Sequence, residues 1–246
     1  VFGAESVLRP EARIHSQVDG LERFLELKHR ARVLDLGCGA GAQTLELARR
    51  QYRVVGMEGT TEALADGRER AKAEALTVHF LANRLDRIPY DGEFNAVIVV
   101  RNPLGSLPCE RDDLRCLQAI HRALKPGGRL LLDLLNREWL VRNLGAHDGA
   151  FDLVTGRLDG RGFSSRGGKP PKGGETLRVY ALTELRRLLA DGGFRVHGVW
   201  GDYHGHPYGL ESMRLIVVAD RVEPPKKGVA DDDDGERAVR IKGRPR

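Results

Sequence analysis

Seven short apolar runs alternate along the chain with segments of helical periodicity. Because strands that alternate with helices need crossover connections, this pattern predicts a mainly parallel sheet with helices on both faces. The last two runs have no helix between them and predict an antiparallel hairpin at one edge. The runs are 32–36, 53–57, 77–81, 94–100, 128–135, 194–200 and 213–219, and the helical segments are 42–50, 61–75, 112–124 and 182–191.

Two stretches fall outside this alternation. Residues 136–178 are rich in glycine, proline and basic residues and too long for an ordinary connection, so they form either a mobile loop or an inserted cap with short strands. We expect a cap or lid. Residues 223–246 carry charge runs and almost no apolar residues, which predicts a disordered tail, with a cloning remnant as the alternative. The remainder divides into an N-terminal helical segment (1–30), a core (31–135) and the C-terminal part of that core (179–222).

Composition narrows the classes of protein. A chain of 246 residues with 41% hydrophobic content can fill a real core. No window approaches eighteen consecutive apolar residues, so we expect no membrane span. No secretory signal is visible at the start, although one could have been removed.

Three cysteines, spaced unlike zinc ligands, suit reduced thiols and a cytoplasmic protein. A net charge of +5 is mild and does not argue for nucleic acid. The oligomeric state is not set by the sequence.

The stretch "DLGCGAG" (35–41) joins the first predicted strand to a helix through three alternating glycines. Such a turn lets a ligand lie against the backbone, because glycine has no Cβ and adopts positive φ. A dinucleotide site usually reads Gly-x-Gly-x-x-Gly, whereas here the third glycine comes one residue sooner. Asp35 would repel a pyrophosphate and suits an ammonium or sulfonium centre. The side chain of Cys38 is predicted to pack under the loop, with its backbone lining the site.

At these residues the sequence resembles the class I S-adenosylmethionine-dependent methyltransferases. The first motif of that family, Asp/Glu-x-Gly-x-Gly-x-Gly after a strand, matches at every position. Three further elements follow in order: "VVGME" (54–58), "LKPGGRLLLDL" (124–134), and a segment from 178 to 205 that is similar to small-molecule members.

The resemblance implies an α/β fold: a doubly wound, Rossmann-like, seven-stranded and mostly parallel sheet, with an antiparallel last strand and an inserted cap. It implies S-adenosyl-L-methionine as cofactor. Glu58, at the end of the second strand, would accept both ribose hydroxyls, as acids do in nicotinamide folds. The implied cofactor-binding residues around it are Asp35, Gly37, Cys38, Gly39, Gly41, Gly59 and Thr60.

The adenine site departs from the family pattern. Counting back from "PY" (89–90) places Arg84 where the family has an acid, and arginine offers no acceptor for the adenine amine. Asn83 has a carbonyl oxygen that could substitute, and Asp86 could do so if the loop is shifted. The backbone N–H of Leu85 remains available for a ring nitrogen.

The acceptor side is predicted from loops at the same sheet edge. Arg101 ends the fourth apolar run, so its charge is expected to face the pocket and to contact the cofactor carboxylate or an acidic substrate. The spacing of His204 and His206 permits a metal site, but no acid or cysteine cluster accompanies them, so we predict none. No catalytic residue is assigned. The substrate-binding candidates are Leu104, Arg178, Tyr180, Tyr203, His204 and Tyr208.

The predicted function is methyl transfer from S-adenosylmethionine to a small-molecule acceptor by in-line displacement. Three alternatives stay open at this point. A dinucleotide-dependent oxidoreductase would keep Glu58 but conflicts with the glycine spacing. A degenerate fold kept as a binding or scaffold protein is suggested by Arg84, and by Asn95 where the family often has aspartate. RNA methylation is suggested by the basic insertion, but the sequence shows no basic patch interleaved with aromatic residues.

Overall fold

A seven-stranded sheet forms the centre of the computed structural model, which describes residues 10–143, 151–159 and 176–223. Its strands are Arg32–Leu36 (β1), Arg53–Glu58 (β2), Val78–Ala82 (β3), Phe94–Val100 (β4), Leu124–Leu135 (β5), Phe194–Trp200 (β9) and Arg214–Arg221 (β10). Across the sheet the order is β3-β2-β1-β4-β5-β10-β9.

The sheet is parallel from β3 to β5 and antiparallel at β10, which pairs with both β5 and β9. The predicted fold class, a Rossmann-like sheet with an antiparallel last strand, is therefore confirmed. The central strand β1 lies between β2 and β4, so that Asp35 is opposite Gly56 on one side and Ile98 on the other. Because these strands are parallel, their carboxyl ends meet at one edge of the sheet.

Helices cover both faces of the sheet. On one face α1 (Pro10–Leu25) and α2 (Ala42–Arg49) pack on residues such as Val33, and on the other α4 (Glu110–Ala123) and α6 (Leu182–Asp191) pack on residues such as Leu34. Neighbouring residues of a strand point to opposite faces, so both must be apolar here. A further helix, α3 (Ala65–Ala73), follows β2. No helix in the described ranges is long and apolar enough to cross a membrane.

The insertion between β5 and α6 contains a helix and three short strands in its described part. These are α5 (Arg137–Asn143), β6 (Phe151–Asp152), β7 (Arg157–Asp159) and β8 (Thr176–Arg178), and the strands form an antiparallel sheet in the order β6-β7-β8. Leu140, Leu158 and Val179 pack together against the end of β5 at Leu135. The predicted tail at 223–246 lies outside the described residues apart from its first position.

Candidate active site

The glycine turn after β1 is anchored to the end of β2. The N–H groups of Gly37 and Cys38 donate to the carbonyl oxygen of Met57, at 2.8 and 3.2 Å. Gly39 N–H donates to the Glu58 carboxylate at 2.9 Å, and Gly41 N–H donates to the carbonyl of Cys38, also at 2.9 Å. A pyrophosphate site needs free N–H donors at such a turn. With four of them bonded within the chain, the turn does not suit a dinucleotide.

The three glycines of the turn face different surroundings, although each has a positive φ, of 75°, 53° and 75°. A Cβ on Gly37 would lie 2.4 Å from the ring of Pro103, and one on Gly41 would lie 2.9 Å from the ring of Phe80. A Cβ on Gly39 would meet nothing within 4 Å. Gly37 and Gly41 are thus required by packing inside the protein, and the open space lies at Gly39.

Glu58 lies beside that open space. One carboxylate oxygen accepts the N–H of Gly39 at 2.9 Å, and the other accepts the N–H of Gly59 at 2.7 Å. A Cβ on Gly59 would also meet nothing within 4 Å. The next residue, Thr60, is exposed, and its hydroxyl oxygen accepts the N–H of Ala63 at 3.3 Å. The carboxylate is therefore fixed between two stretches of backbone that are open to a ligand.

Asp35 lies behind the glycine turn rather than on it. Its side chain is 1% exposed and accepts the hydroxyl of Thr44, in α2, at 2.6 Å. Burial raises the pKa of Asp35 to about 6, although the Thr44 hydrogen bond and the charge of Arg101 lower it. Asp35 thus joins β1 to α2 and places a negative charge under the turn. Cys38 packs beside Leu45, Leu64 and Phe80, as predicted for a small side chain under the loop.

The loop after β3 uses its polar groups internally. The side-chain amide of Asn83 donates to the carbonyl of Arg87 at 2.8 Å, and its oxygen accepts the N–H of Arg84 at 2.9 Å. Arg84 pairs with Asp86 at 2.9 Å, and this hydrogen bond lowers the pKa of Asp86. The predicted substitute acceptor, the Asn83 oxygen, is therefore already bonded within the loop. Leu85 packs part-buried against the main core.

The loop after β4 adopts an unusual backbone. Arg101 and Asn102 have φ of 69° and 60°, a region that non-glycine residues seldom occupy. Asn102 is held there because its side-chain oxygen accepts the N–H of Leu135, at the end of β5, at 2.7 Å. Pro103 then lies against Gly37. The loop after β4 is thus packed against the glycine turn through Pro103 and Gly37.

The prediction that Leu104 contacts the substrate is wrong. Its side chain lies in the main core with 2% exposure, because the chain turns inward after Pro103. Gly105 follows with a φ of 90°, and a Cβ there would lie 2.3 Å from the carbonyl oxygen of Arg178. The loop is thus in close contact with the end of the insertion, and Leu104 anchors it from below.

Two predicted acceptor contacts, Tyr180 and Tyr203, lie in the interior instead. The Tyr180 hydroxyl donates to the buried carboxylate of Asp113 at 2.6 Å, and the Tyr203 hydroxyl donates to Asp133 at 2.9 Å. Tyr203 packs under α1, where a Cβ on Gly20 would touch its ring. A carboxylate accepts the hydrogen bond of each buried phenol hydroxyl, which satisfies that polar group in the interior. Both tyrosines therefore connect elements of the fold and do not face a ligand.

The remaining acceptor candidates lie nearer the surface. The guanidinium of Arg178 donates to the carbonyl of Thr155 at 2.7 Å and pairs with Glu184 at 3.3 Å, which ties the insertion to α6. The hydroxyl of Tyr208 donates to Glu138 of α5. His204 is exposed beside His206, which pairs with Asp202 at 2.6 Å. Within the described residues, no group of three or more potential ligands is arranged to hold a metal ion.

Asp113 was missed by reasoning from sequence. It is fully buried in α4, where it accepts the N–H of Gly105 at 2.8 Å as well as the Tyr180 hydroxyl. The signal was present in the spacing, because Asp113 stands three, four and seven residues before the buried Cys116, Leu117 and Ile120. An acid on the apolar stripe of a helix needs a partner, and here it joins the loop after β4 to the segment after β8.

Comparison with known proteins agrees with this architecture. Residues 33–128 match the family described as a methyltransferase domain. The chain is 29% identical over 204 residues to the cypemycin N-terminal methyltransferase of a Streptomyces species, covering 77% of this chain and 82% of that protein. An S-adenosylmethionine-dependent methyltransferase from Clostridium acetobutylicum has a similar structure, with a TM-score of 0.70 and 15% identity over 89% of this chain and 94% of that one.

A second solved structure is the 1,6-didemethyltoxoflavin-N1-methyltransferase of Burkholderia thailandensis, which holds 1,6-didemethyltoxoflavin and S-adenosylhomocysteine. Its TM-score is 0.61 with 17% identity, over 87% of this chain and 80% of that one. The fold and the matched domain define a Rossmann-like methyltransferase, and thus an enzyme rather than a scaffold. Residues 33–128 thus form a methyltransferase domain, the chain as a whole is similar to class I S-adenosylmethionine-dependent methyltransferases, and its cofactor is S-adenosylmethionine.

Proposed function

We propose that this methyltransferase acts on a small-molecule acceptor and that Glu58 holds the ribose of its cofactor. The observation that carries the proposal is the Glu58 carboxylate, fixed between Gly39 and Gly59, where the backbone is open on both sides. A carboxylate accepts hydrogen bonds from two adjacent hydroxyls, so a ribose fits this position. Gly39, Gly59 and Thr60 would line the same part of the cofactor.

The other predicted cofactor residues contribute through backbone or charge. Gly37, Cys38 and Gly41 keep the turn in shape, and their backbone borders the open space at Gly39. The buried charge of Asp35 favours a ligand with a positive centre above the turn. Arg101, next to β4, is exposed and free to contact a carboxylate of the ligand. Asn83, Arg84 and Leu85 would contact adenine through their backbone, because the Asn83 side chain is bonded to backbone groups of Arg84 and Arg87, and the Arg84 side chain is paired with Asp86.

The bound cofactor supplies a methyl group already activated on a sulfonium centre. The chain's own task is to align the acceptor with that group and to exclude water, which lowers the barrier by up to about 7–11 kcal/mol in well-aligned reactions. An acceptor held in line would form its bond to the methyl carbon with its own lone pair, and the carbon–sulfur electron pair would remain on the sulfur of the leaving S-adenosylhomocysteine. A base is needed only when the acceptor carries a proton to be removed, and we assign none.

A small acceptor is favoured by the position of the insertion. Its strand β8 contacts the loop after β4, with the Arg178 N–H donating to the carbonyl of Gly105 at 2.8 Å. The insertion therefore stands beside the edge where the cofactor is proposed to bind, as a cap over a pocket would. The methyltransferase of similar fold from Burkholderia thailandensis, whose structure holds 1,6-didemethyltoxoflavin, supports the same interpretation.

Calorimetry with S-adenosylmethionine tests the ribose assignment. Replacing Glu58 with alanine removes an acceptor of charge-assisted hydrogen bonds, so affinity should fall by about 1–3 kcal/mol. Glu62→Ala is the matched control, because Glu62 is an exposed acid four residues further along. Equal affinities for the two variants would contradict the role of Glu58.

The acceptor class is tested with labelled S-adenosylmethionine. Methyl-labelled cofactor is incubated with the enzyme and a pool of metabolites, beside separate samples of bulk RNA and protein. The proposal predicts label in small molecules. Label confined to RNA or protein would refute a small-molecule acceptor.

A further inference from the structure

An open cleft of about 610 Å³ lies between α1, α2 and α3 and reaches the residue after β4. At one end it is bounded by Ala42, the first residue after the glycine turn, and by Arg101. At the other it is bounded by Arg70 and Glu74, at the end of α3. The cleft therefore starts at the sheet edge proposed for the cofactor and continues away from it.

The acidic groups of the cleft are already paired. Glu46 is buried and accepts hydrogen bonds from His15 at 2.8 Å, from Arg49 at 3.1 Å and from Arg50 at 2.9 Å. Glu74 accepts two bonds from Arg49, each of 2.7 Å, and these lower the pKa of Glu74. Hydrogen bonds from His15, Arg49 and Arg50 thus occupy the two carboxylates, and the charge of Arg70 also lowers the pKa of Glu74.

Three arginines of the cleft make no side-chain hydrogen bond or ion pair with another described residue. They are Arg13, Arg70 and Arg101, and the charge of Arg70 lowers the pKa of Glu74 while that of Arg101 opposes the effect of burial, which raises the pKa of Asp35. They come from three separate elements, namely α1, α3 and the loop after β4. With four arginines and two glutamates along its lining, the cleft carries a net positive charge, which favours an anion held by charge-assisted hydrogen bonds.

We propose that this cleft binds an anionic group of the methyl acceptor, a carboxylate or a phosphate, with Arg13 and Arg70 as the residues that recognise it. The inference rests on the proposed function, because it deepens the acceptor class of the same enzyme. A volume of about 610 Å³ lies within the range of about 300–1,000 Å³ found for small-molecule sites. Since the cleft meets the sheet edge at Ala42 and Arg101, an acceptor held there extends toward the cofactor.

Binding of inorganic pyrophosphate, measured by calorimetry at low salt, tests the cleft without knowledge of the acceptor. Arg70→Gln should weaken pyrophosphate binding about tenfold, the loss of one charge-assisted contact. Arg187→Gln is the matched control, because Arg187 is exposed on α6, on the opposite face of the sheet, and should leave binding unchanged. Equal pyrophosphate affinity in wild type and Arg70→Gln would overturn the proposal.

Three further measurements separate this site from others. S-adenosylmethionine affinity should be the same in Arg70→Gln as in wild type. If instead the wild-type enzyme binds no S-adenosylmethionine, the proposed function fails, and that result is distinct from a failure of the anion site. Pyrophosphate should still bind when S-adenosylhomocysteine saturates the enzyme. Competition between the two would place the anion in the cofactor site and overturn the proposal. Tight binding of single-stranded RNA that Arg70→Gln abolishes would overturn it in favour of nucleic acid.

The labelled-methyl screen supplies the functional test. The labelled product should carry a carboxylate or a phosphate, and the KM for its precursor should rise about tenfold in Arg70→Gln while kcat is preserved. A neutral product, or a KM unchanged by the substitution, would overturn the assignment.

Discussion

Asp35 is a buried acid whose ionisation should destabilise the folded protein, and Asp35→Asn tests this directly. Asparagine keeps the shape of the side chain and an oxygen that accepts the Thr44 hydroxyl, which lies 2.6 Å from Asp35. What it removes is the negative charge. The substitution therefore isolates the cost of holding that charge in a site with 1% exposure.

The magnitude and its sign follow from the raised pKa. Burial raises the pKa of Asp35 from 3.8 to about 6 in the folded protein. Between these two pH values the unfolded chain has lost the proton and the folded chain has kept it, so the free energy of unfolding falls as pH rises. The contribution of Asp35 to stability is fully present below pH 3.8 and is lost as pH rises through about 6. The difference between the two pKa values corresponds to about 3 kcal/mol of unfolding free energy. At pH 7, Asp35→Asn should therefore be more stable than the wild type by about this amount.

Urea denaturation of the wild type and the variant from pH 4 to pH 8 checks this. The difference in unfolding free energy between them should grow up to about pH 6 and then stay constant. Asp91→Asn, at an exposed position, is the control and should shift stability at no pH. A variant that is less stable than wild type at pH 7, or two curves that run parallel from pH 4, would refute the argument.

The glycine turn and the buried tyrosine give the remaining predictions. Gly41→Ala should destabilise the fold by about 1–3 kcal/mol, because its Cβ would lie 2.9 Å from Phe80 at positive φ. Gly39→Ala has the backbone strain of a positive φ but no steric clash, so it should lose less stability than Gly41→Ala and should weaken S-adenosylmethionine binding. Thermal unfolding and calorimetry compare the two variants, and equal losses of stability would contradict the distinction. Tyr180→Phe leaves Asp113 without one donor and should lower stability by about 1–3 kcal/mol. An unchanged melting temperature would show that this hydrogen bond contributes little.

The order of elements could be predicted from sequence because both faces of the sheet are covered. A strand such as β1 must be apolar at Val33 and at Leu34, which point to opposite faces, and so it reads as a continuous apolar run. The position of β10 between β5 and β9 is different. The missing helix before the run at 213–219 predicted its antiparallel pairing with β9, which is confirmed, but the pattern does not show that this run also joins β5.

The acceptor side could not be predicted as well as the glycine turn. In the turn, backbone conformation and residue type are linked, since only glycine occupies positive φ freely at Gly37 and Gly41. In the loops after β4 and β9, the type of side chain does not decide its direction. Leu104 and Tyr203 therefore read as plausible pocket residues, while the structure buries both of them.

Asp35 and Glu58 show which features of a site the sequence pattern can predict and which it cannot. From sequence, both Asp35, just before the glycine turn, and Glu58, at the end of the second strand, were expected to contact the cofactor. In the structure Asp35 lies beneath the turn, bonded to Thr44, while Glu58 lies beside it with both oxygens on open backbone. A fold selected for stability alone would replace a buried acid that costs about 3 kcal/mol with a neutral residue. Its retention is explained if the negative charge beneath the turn stabilises a positive centre above it. If this explanation holds, Asp35→Asn should be more stable than the wild type and should bind S-adenosylmethionine more weakly.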